Sequence, residues 1–314
     1  SGHILVYAFD VLMQIYTSAG WDQREAVQSI LKNNIFGLDI DDRAAQLAYF
    51  AVMMKARQYD RRLLTRGIQP NIYSIRESNG IQAMTIEYFH KNDPKLKVDI
   101  ESIVTEMRDA KEYGSILKVE SYNWELLRRF VSAADAGDQV TLDSAGLEVT
   151  AVQLMALIDI AETMEQKYDV VVTNPPYMTV SNGDSKLNEY VKENYKDSKT
   201  DLFAVFIERC SKMLVKSGYQ AMITQQAWMF TAIYDRLREK LSKVTLINLL
   251  QFGARGFDEI NGEVVQTATF VLKNDFCSKY NGSYFDLTEG NNEAEKEALF
   301  RGKSTFHSAI YSDF

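Results

Sequence analysis

The segment YDVVVTNPPY, residues 168–177, is the sharpest signal in the chain. Tyr168 to Thr173 form an almost continuous β-branched run, which predicts a parallel strand buried on both faces. The strand feeds directly into Asn174-Pro175-Pro176-Tyr177. Open α/β sheets bind ligands beyond the carboxyl ends of their strands, so this tetrapeptide sits where such a fold does its work. Two of the four prolines of the chain lie in it. Each proline locks φ and restricts the residue before it, so Asn174 and Tyr177 are presented in a preset geometry.

Working outward, the same architecture recurs on the N-terminal side. An apolar helix over 4–18 ends near Gly20, and Asp22 with Glu25 resembles a capping box opening a helix at about 23–33. IFGLDI (35–40) reads as a strand ending in Asp39. Asp41 or Asp42 then caps a long helix, DRAAQLAYFAVMMKARQYDRRLL, and NIYSIRE (71–77) reads as the next strand. This α-β-α-β rhythm predicts an α/β fold with a doubly wound, mostly parallel, Rossmann-like sheet.

Between about 80 and 166 the rhythm changes to successive amphipathic stretches near 80–91, 97–113, 122–136 and 151–166, expected to be a helical insertion into one core spanning 1–314. Beyond the polar loop 178–200, LFAVFIERCSKMLV predicts a helix stopping at Gly218 and YQAMIT (219–224) a strand. DRLREKLSK predicts a further helix. VTLINLLQF (244–252) and VVQTATFVLKN (264–274) predict an antiparallel pair near the C-terminal end, because their link is too short for a helical crossover. The polar tail from 286 offers one helix near 291–301.

Composition excludes several classes. The 46% hydrophobic and 25% charged residues are those of an ordinary globular chain. A net charge of −8 counts against phosphate gripping by the chain's own surface, although a local basic groove is compatible with it. Two cysteines without CxxC spacing and three scattered histidines predict no metal site, and unpaired thiols fit a reducing cytoplasm. No apolar run reaches membrane-spanning length. HILVYAFDVLMQIY lacks a basic leader and is broken by Asp10, so it reads as an amphipathic helix and not as a secretion signal.

The chemistry follows from the residue types. An exocyclic base amine is a poor nucleophile because its lone pair is delocalised into the ring. The side-chain oxygen of Asn174 and the carbonyl of Pro175 can accept its two N–H bonds and aim it at an electrophilic methyl, while Tyr177 offers a face for a base flipped from its stack. Ser1-Gly2-His3 precedes the first helix, and a glycine there lets a ligand approach the backbone. Asp39, ending a strand, can accept ribose hydroxyls, with Ile40 beside it to pack on an adenine ring.

These segments together resemble the adenine-specific DNA methyltransferases of the NPPY class, especially the large methylases of restriction-modification and BREX-type phage-defence systems. SGHILVYAFD resembles the second half of the family's glycine loop and the helix after it. GLDIDDRAAQLA resembles the acidic second-strand motif and YDVVVTNPPY the catalytic motif. DLFAVFIERCSKMLVKSGYQAMIT with QQAWMF resembles the segment beyond it. The resemblance spans most of 1–60 and 168–274. It implies S-adenosyl-L-methionine held by Ser1, Gly2, His3, Asp39, Ile40 and Asn174, a flipped adenine of double-stranded DNA held by Asn174 to Tyr177, and specificity or nuclease subunits as partners. It places Glu77 near the cofactor adenine.

Two departures from the family pattern shape further expectations. Its first strand and the start of its glycine loop have no counterpart before Ser1, and its long target-recognition region has none either. Weak cofactor binding and little site-specific methylation by residues 1–314 alone are therefore expected. The strands at 35–39 and 169–173 should not pair with each other, and a strand from the insertion such as 116–119, or a partner chain, should fill the gap. The same motif also serves protein glutamine and RNA base amines, and a non-catalytic scaffold would retain the fold. Arg57, Arg61, Arg62 and Arg66 read as a DNA-facing stripe or a solvated helix face. Trp228 and Phe230 read as base-pocket lining or core, and Tyr190 and Tyr195 as a substrate cover.

Overall fold

The computed structural model describes residues 2–81, 94–134, 142–254, 266–302 and 306–310, the side chains of 133, 134 and 142–147 aside. The chain divides into two compact units, Ser1–Gln166 and Lys167–Phe314.

In the first unit, α1 (His3–Ser18) and α2 (Gln23–Ser29) lead through a π-helical turn into β1 (Phe36–Asp39). Helix α3 (Asp42–Tyr59) returns to β2 (Asn71–Ser74), and β1 and β2 form a two-stranded parallel sheet. A two-stranded sheet is marginal without a helical cover. Here Phe9 and Met13 of α1, Val27 of α2, Val52 of α3 and Ile72 of β2 share one buried cluster. The opening helices are cut by side-chain caps. Asp22 accepts Arg24 N, and Asp41 accepts Arg43 N and Ala44 N at the start of α3. Helix α3 ends at Tyr59, because Asp60 is extended at φ −129°. The four arginines therefore do not share one helix face: only Arg57 lies on α3, and Arg66 pairs with the buried carboxylate of Asp60 at 3.0 Å.

Between β2 and β3 the described residues contain α4 (Pro94–Glu106), the short α5 (Ala110–Tyr113), α6 (Trp124–Ala134) and α7 (Leu142–Glu165). Arg128 of α6 ties the last two together through Asp159, at 2.8 Å, and Glu162. The expected stretch at 80–91 lies mostly outside the described residues. The expected strand at 116–119 does not form. Gly114–Ile116 is a 3₁₀ turn, and 117–120 lacks regular structure, with Ile116 and Leu117 spent in the core. Among the described residues of this region none adds a strand to β1.

The second unit is a six-stranded sheet in the order β3-β4-β6-β5-β7-β8. Its strands are β3 (Tyr168–Thr173), β4 (Leu214–Gln225), β5 (Thr245–Gly253), β6 (Thr267–Lys273), β7 (Gly282–Asp286) and β8 (Phe306–Ala309). Strand β3 runs parallel to β4 and β5 to β7, while β6 is antiparallel to both β4 and β5. Strands β3, β4, β5 and β7 thus share one direction, the mixed α/β arrangement expected, with the antiparallel β5–β6 pair where the short link placed it. Helices α8 (Ser185–Asn194), α9 (Leu202–Lys212), α10 (Ala227–Phe230), α11 (Asp235–Leu241) and α12 (Glu293–Arg301) are the α-helices described in this unit.

Three sequence expectations are corrected here. First, among the described residues β3 is a sheet edge rather than a strand buried on both faces: its ladder is to β4 alone, and Val170 and Val172 are 55% and 47% exposed. Second, α9 stops at Lys212 and not at Gly218. Strand β4 begins at Leu214 and passes through Ser217, whose φ is +61°. Ser217 is pinned by its N–H to Asn274 O and its hydroxyl to Asp275, and the ladder slips in this region, between Tyr168 and Val170. A Cβ on Gly218 would come within 3.0 Å of Asp169 O. The glycine thus serves a close strand approach and does not end a helix. Third, the tail holds two strands, β7 and β8, besides the helix near 291–301.

Candidate active site

Asn174 leaves β3 at its carboxyl end and is exposed, Pro175 is buried, and Tyr177 is half-buried. The loop is fastened just beyond the tetrapeptide. Thr179 forms an isolated antiparallel bridge with Asp201, flanked by Leu202 N to Met178 O at 2.9 Å and Val180 N to Thr200 O at 3.0 Å. Asp201 is also the N-cap of α9, accepting Phe203 N at 3.3 Å, and its second carboxylate oxygen lies 3.5 Å from the Thr179 hydroxyl. Burial raises the pKa of this carboxyl, against the lowering effect of those donors.

The cap places Phe203, which is fully buried, under Tyr177. The rings of Tyr177 and Phe203 meet edge to face, centroids 6.5 Å apart at 88°, and Phe203 packs on Tyr234 at 5.7 Å. Edge-to-face pairs are favoured by the ring quadrupoles and resist rotation of the ring. Burial pushes the Tyr177 phenol up to about 12, so it stays neutral across the physiological range. Asp201, Thr179, Phe203 and Tyr234 were not singled out from sequence. An Asp just before the apolar run LFAVFI was the available signal, since Asp in that position is a standard helix start.

Strand β4 runs parallel to β3, with Thr173 opposite Met222, so the segment after β4 leaves at the same end of the sheet. Trp228 on α10 is core: it is 6% exposed, donates to Thr224 Oγ1 at 3.1 Å and packs on Phe270 at 5.2 Å. Phe230 is 63% exposed. The two residues read alike in the sequence have opposite fates. Tyr195 is fully buried against Tyr190 and Lys212, which excludes it as a substrate cover.

In the first unit, Gly2 precedes α1 in the left-handed conformation, φ +79°, and a Cβ there would lie 2.7 Å from Ala48 Cα. The close approach to α3 thus demands glycine. Helix α1 starts without a side-chain cap. Gly37 of β1 lies directly beneath Leu5, where a Cβ would meet the leucine side chain at 2.8 Å, so the first turn of α1 sits over β1. Asp39 ends β1 and accepts Asp41 N at 3.0 Å, leaving the capping of α3 to Asp41, whose carboxyl those two amide bonds hold below the usual range. Ile40 is 49% exposed. A left-handed glycine at an uncapped helix start, an acidic strand end and an exposed apolar side chain belong to one α-β-α unit, and this chemistry fits a nucleoside-bearing cofactor. Ser1 lies outside the described residues. Glu77 is exposed, three residues beyond the end of β2. Among the described residues no group of His, Cys, Asp and Glu is arranged to hold a metal, and no helix is long and apolar enough to cross a membrane.

Residues 33–257 match the family described as Eco57I restriction-modification methylase. The chain belongs to that family. Among curated proteins it is 38% identical, over 96% of its length, to the adenine-specific methyltransferase PglX of Lacticaseibacillus casei (strain Zhang). It is 37% identical, over its whole length, to the adenine-specific methyltransferase BrxX of Escherichia coli O9:H4 (strain HS). It spans 25% and 28% of those proteins, about a quarter of their length. Among solved structures it shares its fold with the ATP-dependent Type ISP restriction-modification enzyme LlaBIII bound to DNA. That match has a TM-score of 0.56 at 13% identity, over 98% of this chain and 19% of the other. For this Eco57I-family chain the resemblance read from YDVVVTNPPY is thus shown at the level of family.

Proposed function

We propose that the protein containing this chain transfers a methyl group from S-adenosyl-L-methionine to the N6 amine of an adenine flipped out of double-stranded DNA, within a restriction-modification or related phage-defence system. The single observation that supports it most is the presentation of Asn174 on a tetrapeptide fastened at both ends, by β3 before it and by the Thr179–Asp201 bridge after it.

In this reading Asn174 Oδ1 and the carbonyl of Pro175 accept the two N–H bonds of the amine and draw its lone pair out of the ring. Tyr177, locked edge-on by Phe203, stacks on the extruded base. The bound cofactor supplies an electrophilic methyl. Asn174 and Pro175 would hold the amine toward that methyl, and the amine proton would leave to water, so no side-chain general base is required. Gly2 and His3 at the start of α1, with Ser1 before them, would hold the cofactor's amino-acid end. Asp39 would accept its ribose hydroxyls and Ile40 would pack on its adenine, with Asn174 completing its surroundings. In the same reading, residues from about 80 to 166 are a helical insertion into this catalytic core.

The test uses the intact protein with labelled S-adenosyl-L-methionine and unmethylated DNA. N6-methyladenine formed by the wild type and lost in Asn174→Ala is the expected result. Label in RNA or in protein glutamine would reassign the acceptor, and no transfer to any acceptor would leave a scaffold.

A further inference from the structure

The segment after β4 carries two exposed apolar side chains at the catalytic end of the sheet, Phe230 at 63% and Ile233 at 57% exposure. Single exposed apolar residues are ordinary, so exposure alone says little. Three features set this pair apart. The first is rigidity. Arg238 donates to Trp228 O at 2.7 Å and to Thr231 O at 2.8 Å and also pairs with Asp235, clamping the carbonyls on both sides of Phe230. Turn bonds from Met229 N to Gln226 O, Thr231 N to Ala227 O and Tyr234 N to Thr231 O close the loop around it. The second is placement. Tyr234, directly after Ile233, is the far end of the Tyr177–Phe203–Tyr234 ring series, and Tyr177 and Met229 pack on the same buried cluster. The loop and the tetrapeptide therefore share one rigid support. The third is charge. Asp235 is engaged by Arg238, and Arg236, 80% exposed and three residues beyond Ile233, makes a loose 3.8 Å pair with Asp197.

A rigid aromatic tip beside a site that must receive an extruded base has a physical use. Extrusion leaves a hole in the stack, and proteins that distort duplexes fill such gaps with Phe, Ile or Leu wedges. We propose that Phe230, supported by Ile233, enters the base stack of the DNA duplex and holds it open while the target adenine occupies the Asn174–Tyr177 pocket, with Arg236 exchanging its loose pair to Asp197 for a phosphate. This rests on the DNA reading above.

The test compares wild type, Phe230→Ala and Phe230→Leu in the intact protein. The substrates are two duplexes carrying the modified site, one with the target adenine paired and one with it opposite an abasic position. With the partner base absent, extrusion no longer needs a wedge. Phe230→Ala should lower kcat/KM on the paired duplex by about tenfold, the scale of one lost stacking contact. It should lose less than about threefold on the abasic duplex, where less unpairing is required. Phe230→Leu, still an apolar filler, should lie between wild type and Phe230→Ala on the paired duplex, and all three should melt alike. Equal losses on both duplexes, or none on either, overturn the wedge while leaving the reaction intact. Absence of N6-methyladenine with the wild type overturns the reaction itself and the wedge with it.

Discussion

The two units solve the same problem by different means. The second holds its tetrapeptide by backbone: two prolines, a ladder to β4, an isolated bridge and a capped helix fix the loop. The first holds Gly2 and Asp39 with a two-stranded sheet whose order comes from helices packed over it. A loop fixed by covalent restriction and hydrogen bonds should tolerate change in distant packing. A glycine and a carboxylate positioned by helix packing should not. In the proposed reaction the methyl acceptor needs precise aim, whereas a cofactor with several separate contacts can be bound by a more compliant unit.

The largest expected effect probes that compliance. Phe9 is fully buried at the centre of the helical cover, and Phe9→Ala should cost about 3–5 kcal/mol. Hydrogen exchange should then show lost protection in β1 and β2. Unchanged protection there would mean that the helices do not carry the small sheet. On the other side of the comparison, Asn174→Ala removes one positioned acceptor from an otherwise fixed loop. Methyl transfer should fall about a hundredfold or more, the scale for losing one aligned group at a reacting centre, with the melting temperature unmoved because Asn174 is exposed. A drop in melting temperature would show that Asn174 is structural.

A smaller effect is expected at Gly2, where a side chain would meet Ala48 Cα and require a left-handed conformation. Gly2→Ala should destabilise by about 1–2 kcal/mol and weaken cofactor binding measured by calorimetry. Binding as tight as in the wild type would remove Gly2 from the cofactor site. The smallest concerns Asp201. Burial raises its carboxyl pKa in the folded state, so the folded form takes up more proton than the unfolded form between the ordinary carboxylate value and the raised one. Stability from this group is therefore present below that window and declines as pH rises through it. Asp201→Asn keeps a good cap without the charge and should flatten this part of a melting-temperature profile. An identical slope in the variant would show that Asp201 is not its source.

Much of the site was legible because its determinants are local. Proline restriction, a β-branched run and Asp-led helix starts act within a few residues, so NPPY, the strand before it and the first-unit rhythm could be read directly. What could not be read was who lies beside whom. Val170 and Val172 look like core in any window, yet among the described residues β3 pairs with β4 alone and leaves them exposed. Trp228 and Phe230 are two residues apart in similar surroundings, and only the packing of Phe270 against one side of the loop separates core from tip. Strands β7 and β8 were missed because SYFD and FHSA are too short and polar to signal strands, and their pairing comes from β5 and from each other. The sequence by itself determined the chemistry of the Asn174–Tyr177 turn, since backbone restriction and side-chain type are properties of a few consecutive residues. The tertiary structure alone decided how that turn is held and what stands exposed beside it, since burial and pairing depend on partners distant along the chain.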